Sequence, residues 1–268
     1  MEWILDNKVL LLIIIIFILY RIFKTFGFEM LLKRGIRKQS GKFKIKDEKH
    51  SIIDSKHILV GAIYGQQQYA YANVLTTGIA QSEVKTVLEH YYGIAQVSDV
   101  EENLNYFLNE ASNVYFKTVY QAFLKDTVEG QEMIINSATD DSSVAERAFS
   151  YLIHLEETFE EFKQRGFVQN KTDLEKITTL GWDMGRVVYV TRMCYDAGYI
   201  SESNAKKYID AAYVKSTEHF NSWKELAASY VLGRNMWIGN HKTNEHIYTV
   251  TQELLTDSNS PWLKISFK

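Results

Sequence analysis

Five charged residues fall close together in the C-terminal half of the chain: Asp183, Arg186, Arg192, Asp196 and Arg234. Asp183 and Arg186 stand at i and i+3, and Arg192 and Asp196 at i and i+4, spacings at which helical side chains meet. Arginine offers planar, bidentate recognition of phosphate, carboxylate or carbonyl oxygens, and an aspartate beside it can orient a ligand or accept a proton. The same residue types also make buried ion pairs. The spacing therefore admits two readings, an Arg-lined pocket for a small anion or an ion-pair network that fixes how two helices cross. Arg234 sharpens the question. It shares a stripe at helical spacing with Trp223, Leu226, Ala227, Tyr230 and Trp237, where an unpaired guanidinium is costly. Burial there demands a carboxylate, with Asp183 as first choice and Asp196 in reserve.

Other chemistry is thin. Seven His residues include no His-Glu-x-x-His, and His241 with His246 or His154 with Glu157 read as solvated surface residues, so no metal is expected. No Gly-rich phosphate loop is present, and no cofactor is expected. Cys194 lies on an apolar helix and reads as core. The acidic run EETFEEF at 156–162 reads as a solvated helix face, with Phe159 and Phe162 available to a partner.

These residues need helices to position them, and the chain supplies helices. A single proline, Pro261, falls in the last eight residues, and no Asn-Gly or Asp-Gly hairpin signal occurs. The patterns Ser98/Glu101, Ser143/Glu146, Thr172/Glu175 and Ser222/Glu225 match capping boxes. The expected fold is all-α, a multi-helix globular domain of about eight helices over 55–79, 83–92, 99–124, 143–165, 173–197, 202–219, 223–238 and 244–255. Gly166 and Gly198 sit where left-handed C-terminal residues belong. Helix 173–197 is apolar nearly all round and should be central, with Gly181 and Gly185 allowing a neighbour to approach. Thr139–Ser143 reads as a loop and the best candidate for a subdomain seam.

Ahead of this body the sequence predicts one N-terminal transmembrane helix. Val9–Tyr20 contains no charge and would span roughly 18 Å of a core about 30 Å thick, but apolar character continues to Leu32. Glu2, Asp6 and Lys8 precede it, which opposes a signal peptide, while Arg21, Lys24, Lys33, Arg34, Arg37 and Lys38 follow it. By the positive-inside rule the N-terminus is outside and the C-terminal domain in the cytoplasm, as in a single-pass inner-membrane protein. The domain organisation expected is 1–37 anchor and basic flank, 38–54 juxtamembrane linker and 55–268 all-α domain, with residues 3–28 contacting the lipid bilayer. Residues 1–50 carry 11 Lys+Arg against 5 Asp+Glu, and the remaining 218 carry 19 against 28. An acidic body argues against nucleic acid as partner.

The segments GWDMGRVVYVTRMCYDAGYIS (181–201), FNSWKELAASYVLGRNMW (220–237) and NSPW (259–262) resemble the bacterial domain of unknown function 1266 family. HILVGAIYGQQQYAYANVLTTG (57–78) is similar to that family's opening helix and HYYGI (90–94) to its aromatic-Gly-Ile turn, with Tyr92 where a Trp is expected. The resemblance covers roughly 55–264 and implies an all-α domain without an established activity. The motif positions fall on Trp182, Asp183, Arg186, Ser222, Trp223, Gly233, Arg234, Ser260, Pro261 and Trp262. Two functions are in view. One is a membrane-tethered, cytoplasmic-facing interaction or regulatory module, an immunity-type protein binding a protein partner being one form of it. The other is an enzyme or sensor binding a small anionic ligand through the Asp/Arg cluster. With no catalytic motif in view, the first is the leading expectation and an enzyme the weaker one.

Overall fold

Helix starts in this chain are set by side chains that reach back to free amides. Ser201, Ser222 and Ser260 accept from the amides of Asn204, Glu225 and Trp262, and Thr127 accepts from Gly130. Each bond satisfies a donor that a helix N-terminus leaves without an intrahelical partner. Of the four expected boxes only Ser222 is a cap, and its Glu225 carboxylate returns to the amide of Asn221 at 2.8 Å. Two of the other three starts belong to neighbours, and the third has no side-chain cap. Asp141 caps in place of Ser143, Asn170 and Asp173 form the box near Thr172, and Ser98 lies inside its helix with no capping bond at its start. Carboxylates and amides one or two residues upstream compete for the same N–H groups, and they win here.

The computed structural model describes residues 42–46, 53–109 and 111–268. The expected anchor at 1–37 and most of the linker at 38–54 lie outside the described residues. The chain divides into Met1–Lys44 and Ile45–Lys268, and every helix below belongs to the second unit. Among the described residues the fold is all-helical, without a β-strand, and no helix is long and apolar enough to cross a membrane.

In order, α1 (Ser55–Ile58) runs through a 3₁₀ turn, Leu59–Gly61, into α2 (Ala62–Gln67). Then come α3 (Gln81–Tyr92), α4 (Ser98–Leu108), α5 (Asn113–Phe123), α6 (Val128–Ala138) and α7 (Ser142–Gln164). After a 3₁₀ turn and the short α8 (Leu174–Ile177) follow α9 (Leu180–Asp196), α10 (Glu202–His219), α11 (Trp223–Ile238), α12 (Asn244–Thr256) and α13 (Pro261–Lys264). The expected helix 55–79 ends at Gln67, and 99–124 is two helices, one ending at Leu108 and the next starting at Asn113. Helix α6 had no capping box or strong periodic signal to reveal it. Thr139–Ser143 holds the α6–α7 connection and the start of α7, inside one unit rather than at a seam.

Helix α9 is the centre. Leu180 through Cys194 are all buried, and α2, α3, α4, α10 and α11 pack around it. Helix α11 approaches it closely, and the reason is glycine. A Cβ on Gly181 would stand 2.7 Å from the Leu226 carbonyl oxygen, and one on Gly233 would stand 2.4 Å from the Trp182 Cβ. The two backbones touch at positions where any larger residue would hold them apart. Helices α7 and α9 end at Gly166 and Gly198, with φ of 79° and 78°, as their spacing predicts. At Gly166 the Phe167 amide returns to the Phe162 carbonyl, and the two rings stack at 4.8 Å, the bond and apolar contact of a Schellman end. That contact buries Phe162, and Phe159 packs on Phe123 at 5.1 Å, so neither ring is available to a partner.

Candidate functional site

The close approach of α9 and α11 carries Trp182 and Arg186 on one helix toward Tyr230, Arg234 and Trp237 on the other. Trp182 is 4% exposed, Arg186 and Arg234 are each 9% exposed, and Asp183 is fully buried. The Arg186 guanidinium carbon lies 4.8 Å from the Trp182 ring centroid and 4.5 Å from Phe107. That of Arg234 lies 5.8 Å from Trp182 and 5.0 Å from Trp237. Two buried cations thus lie within 6 Å of one indole.

Their carboxylate is shared unequally. Asp183 pairs with Arg186 Nη2, and its oxygens also accept the Ser112 amide at 2.9 Å and the Asn113 amide at 3.0 Å. Those amides are the free donors at the start of α5, so Asp183 caps that helix from a distant segment, as an anion at an N-terminus should. Arg186 Nη2 also donates to Ser112 Oγ at 2.8 Å. Burial pushes the Asp183 carboxyl up from its ordinary range, and Arg186 with the two amides opposes the rise. The expected Asp183–Arg234 pair does not form. The carboxylate is drawn to the α4–α5 break, while the Arg234 guanidinium lies over aromatic rings.

Arg234 has a single hydrogen bond among the described residues, from Nη2 to Thr243 Oγ1 at 3.3 Å. Its Nη1 is buried without a hydrogen-bond partner, and so are Arg186 Nε and Trp182 Nε1. Desolvation lowers the Arg234 pKa, and the hydroxyls of Tyr230, Tyr64 and Tyr92 are the groups that act against it. Tyr230 lies on the stripe expected from the sequence, but hydroxyls at Tyr230, Tyr64 and Tyr92 facing Arg234 were not anticipated. Tyr64 stacks on Tyr189 at 4.4 Å, Tyr230 meets Trp182 edge-on at 5.1 Å, and the Tyr64 and Tyr92 hydroxyls are 2.5 Å apart. Burial raises the pKa of all three, so they are neutral hydroxyls at physiological pH. Among the described residues, Asp183 is the one carboxylate paired with these two guanidiniums, and its pair is with Arg186.

The other expected pair separates as well. Arg192 is 1% exposed and donates to the backbone carbonyls of Tyr71, Leu75 and Thr76, while Asp196 accepts from the Thr77 amide and hydroxyl. Together they clamp the 69–80 loop to α9, which is why helix 55–79 stops early. Burial lowers the Arg192 pKa to about 10, still above neutral pH, so it stays charged among its carbonyls. Both side chains are engaged in holding that loop. Trp223 and Trp262 are stacked at 5.1 Å with their indoles donating to Ile265 and Leu59 carbonyls. Trp237 departs from the expected apolar stripe, being 48% exposed.

Cys194 is buried and its thiol is pushed up to about 12, which fits core packing rather than nucleophile. The Nδ1 of His154 meets the Met236 carbonyl oxygen at 2.8 Å, and that of His241 meets Thr243 Oγ1 at 2.8 Å. Among the described residues no group of three His, Cys, Asp or Glu is arranged to hold a metal ion.

No curated protein and no solved structure matches the chain. One family model does, over residues 87–267, which takes in Trp182, Asp183, Arg186, Arg234 and the C-terminal Ser260-Pro261-Trp262 motif but begins after Tyr64. The chain belongs to that family, described as protein of unknown function (DUF1266).

Proposed function

We propose that the helical body binds a small oxyanion between Arg186 and Arg234, and that it serves as a ligand-sensing regulatory module rather than an enzyme. The observation that carries this reading is a set of three buried donors, Trp182 Nε1, Arg186 Nε and Arg234 Nη1, without hydrogen-bond partners among the described residues, with Arg234 outside the Asp183–Arg186 pair. A buried unpaired charge is expensive, and an anion with several acceptor oxygens removes both costs at once. The site favours binding over catalysis because its one carboxylate is already engaged by Arg186 and two amides, and its tyrosines hold their protons. The His241 ring reaches Arg234 only through the Thr243 hydroxyl that both contact. The apolar Val9–Tyr20 segment and its basic flank support a single-pass anchor that places this module at the cytoplasmic face of the membrane.

Thermal unfolding of the full chain in rising inorganic phosphate tests the binding. A ligand at 100 times its Kd adds about 2.7 kcal/mol, which is a Tm increase of roughly 5–10 °C for a domain of this size. Phosphate also stabilises proteins by exclusion from their surfaces, so Arg234→Met, which removes the site but not the exclusion, sets the baseline. Equal shifts in wild type and Arg234→Met, across phosphate, sulfate and benzoate, would overturn the reading.

A further inference from the structure

Trp237 is half-exposed, yet its ring lies 5.0 Å from the Arg234 guanidinium carbon and 5.9 Å from the Trp182 ring, tilted by 34°. Of the four tryptophans in the family motifs it alone combines contact with the buried donors and an open surface. Its backbone is held on both sides. The Met236 carbonyl oxygen is bound by His154, and Gly239 has φ +68° with His154 Cδ2 only 2.7 Å from where its Cβ would be. Trp237 is therefore an aromatic surface fixed at the edge of the oxyanion site.

We infer that the ligand of this site carries a planar aromatic group joined to its oxyanion, as an aryl phosphate or a nucleotide does, and that Trp237 stacks on it. The inference rests on the oxyanion reading above and adds the class of compound. The Arg234 guanidinium carbon is 5.0 Å from the Trp237 ring centroid, so that ring is the aromatic surface next to an anion held by Arg234. Stacking on an indole tolerates any π-face and needs no hydrogen-bond match. Arg234 supplies the charge, and Trp237 supplies discrimination between an aromatic ester and an aliphatic one.

Calorimetric titration of the full chain with methyl phosphate and phenyl phosphate separates the two claims, since the compounds share a head group. Phenyl phosphate should bind about tenfold more tightly, the scale of one stacked ring. In Trp237→Leu the ratio should fall to about one while methyl phosphate affinity changes less than threefold. Trp237→Phe should keep most of the preference, and Arg234→Met should lose both ligands. Equal affinities in wild type, or a preference that persists in Trp237→Leu, would overturn the role of Trp237 and leave the oxyanion site standing. Binding of inorganic phosphate with neither ester would do the same. Failure of all three to bind would overturn both.

Discussion

Replacing Arg234 by methionine should leave the fold intact, although the residue is a buried cation in the core of two packed helices. The magnitude follows from its contacts. One bond to Thr243 at 3.3 Å is near the long limit, worth about 0.5–1 kcal/mol. Ring contacts with Trp182 and Trp237 at 5.8 and 5.0 Å add about 0.5–1 kcal/mol each. Against these stands the unpartnered Nη1, whose desolvation costs about 1–3 kcal/mol and more on a charged group. Methionine of similar length keeps the apolar packing. The terms nearly cancel, so Arg234→Met should change stability by less than about 1 kcal/mol, or about 4 °C in Tm. Denaturant unfolding of the full chain, followed by circular dichroism without added anion, reads this directly. A loss of 3–5 kcal/mol, the scale of a broken buried pair, would show that Arg234 has a structural partner and would refute the reasoning.

Asp183 should behave in the opposite way. Asp183→Ala strands Arg186 and the Ser112 and Asn113 amides and should cost about 3–5 kcal/mol. Double-mutant cycles should then show coupling of Asp183 with Arg186 and additivity of Asp183 with Arg234; coupling in the second cycle would contradict the observed geometry. Gly233→Ala forces a Cβ to within 2.4 Å of the Trp182 Cβ and should destabilise by about 1–3 kcal/mol, so a variant with wild-type Tm would place the α9–α11 approach in doubt. Partial burial pushes the Asp210 carboxyl up, but its contacts with Lys206 and His57 outweigh that and hold it below its usual range. Its folded pKa is depressed, so its contribution is present above about pH 4 and fades as pH falls through the lowered value. The gap between wild type and Asp210→Asn, less than about 1 kcal/mol for a partly exposed group, should shrink on acidification, and a constant gap down to pH 2 would contradict the assignment.

The parts of the fold legible in the sequence are those that local chemistry decides. Helices α10 and α11 begin at Ser201 and Ser222 because hydroxyls beside free amides suffice, and α9 is central because its apolar residues face every direction. The parts that were not legible depend on groups distant in the chain. Nothing within residues 99–124 reports that a carboxylate at position 183 will take the amides of Ser112 and Asn113 and so start a second helix there. The loop after Gln67 owes its path to Arg192 and Asp196, more than a hundred residues away. The same cause misdirected the pairing of Arg234. Matching charges by sequence assumes that a carboxylate goes to a guanidinium, whereas Asp183 and Asp196 both take backbone amides and Arg192 takes backbone carbonyls. The cluster itself was legible as Asp183, Arg186 and Arg234, but its tyrosine hydroxyls and its unpartnered donors appear only once the helices are packed.

The most direct test of the oxyanion site is the indole N–H of Trp182, followed by nitrogen–proton correlation spectroscopy during a phosphate titration and assigned with Trp182→Phe. This group is buried without a hydrogen-bond partner, whereas the indoles of Trp223 and Trp262 are bound to carbonyls. Bound phosphate should move the Trp182 resonance saturably and leave those of Trp223 and Trp262 in place. A Trp182 resonance that stays fixed through saturating phosphate, or moves equally in Arg234→Met, would contradict the site.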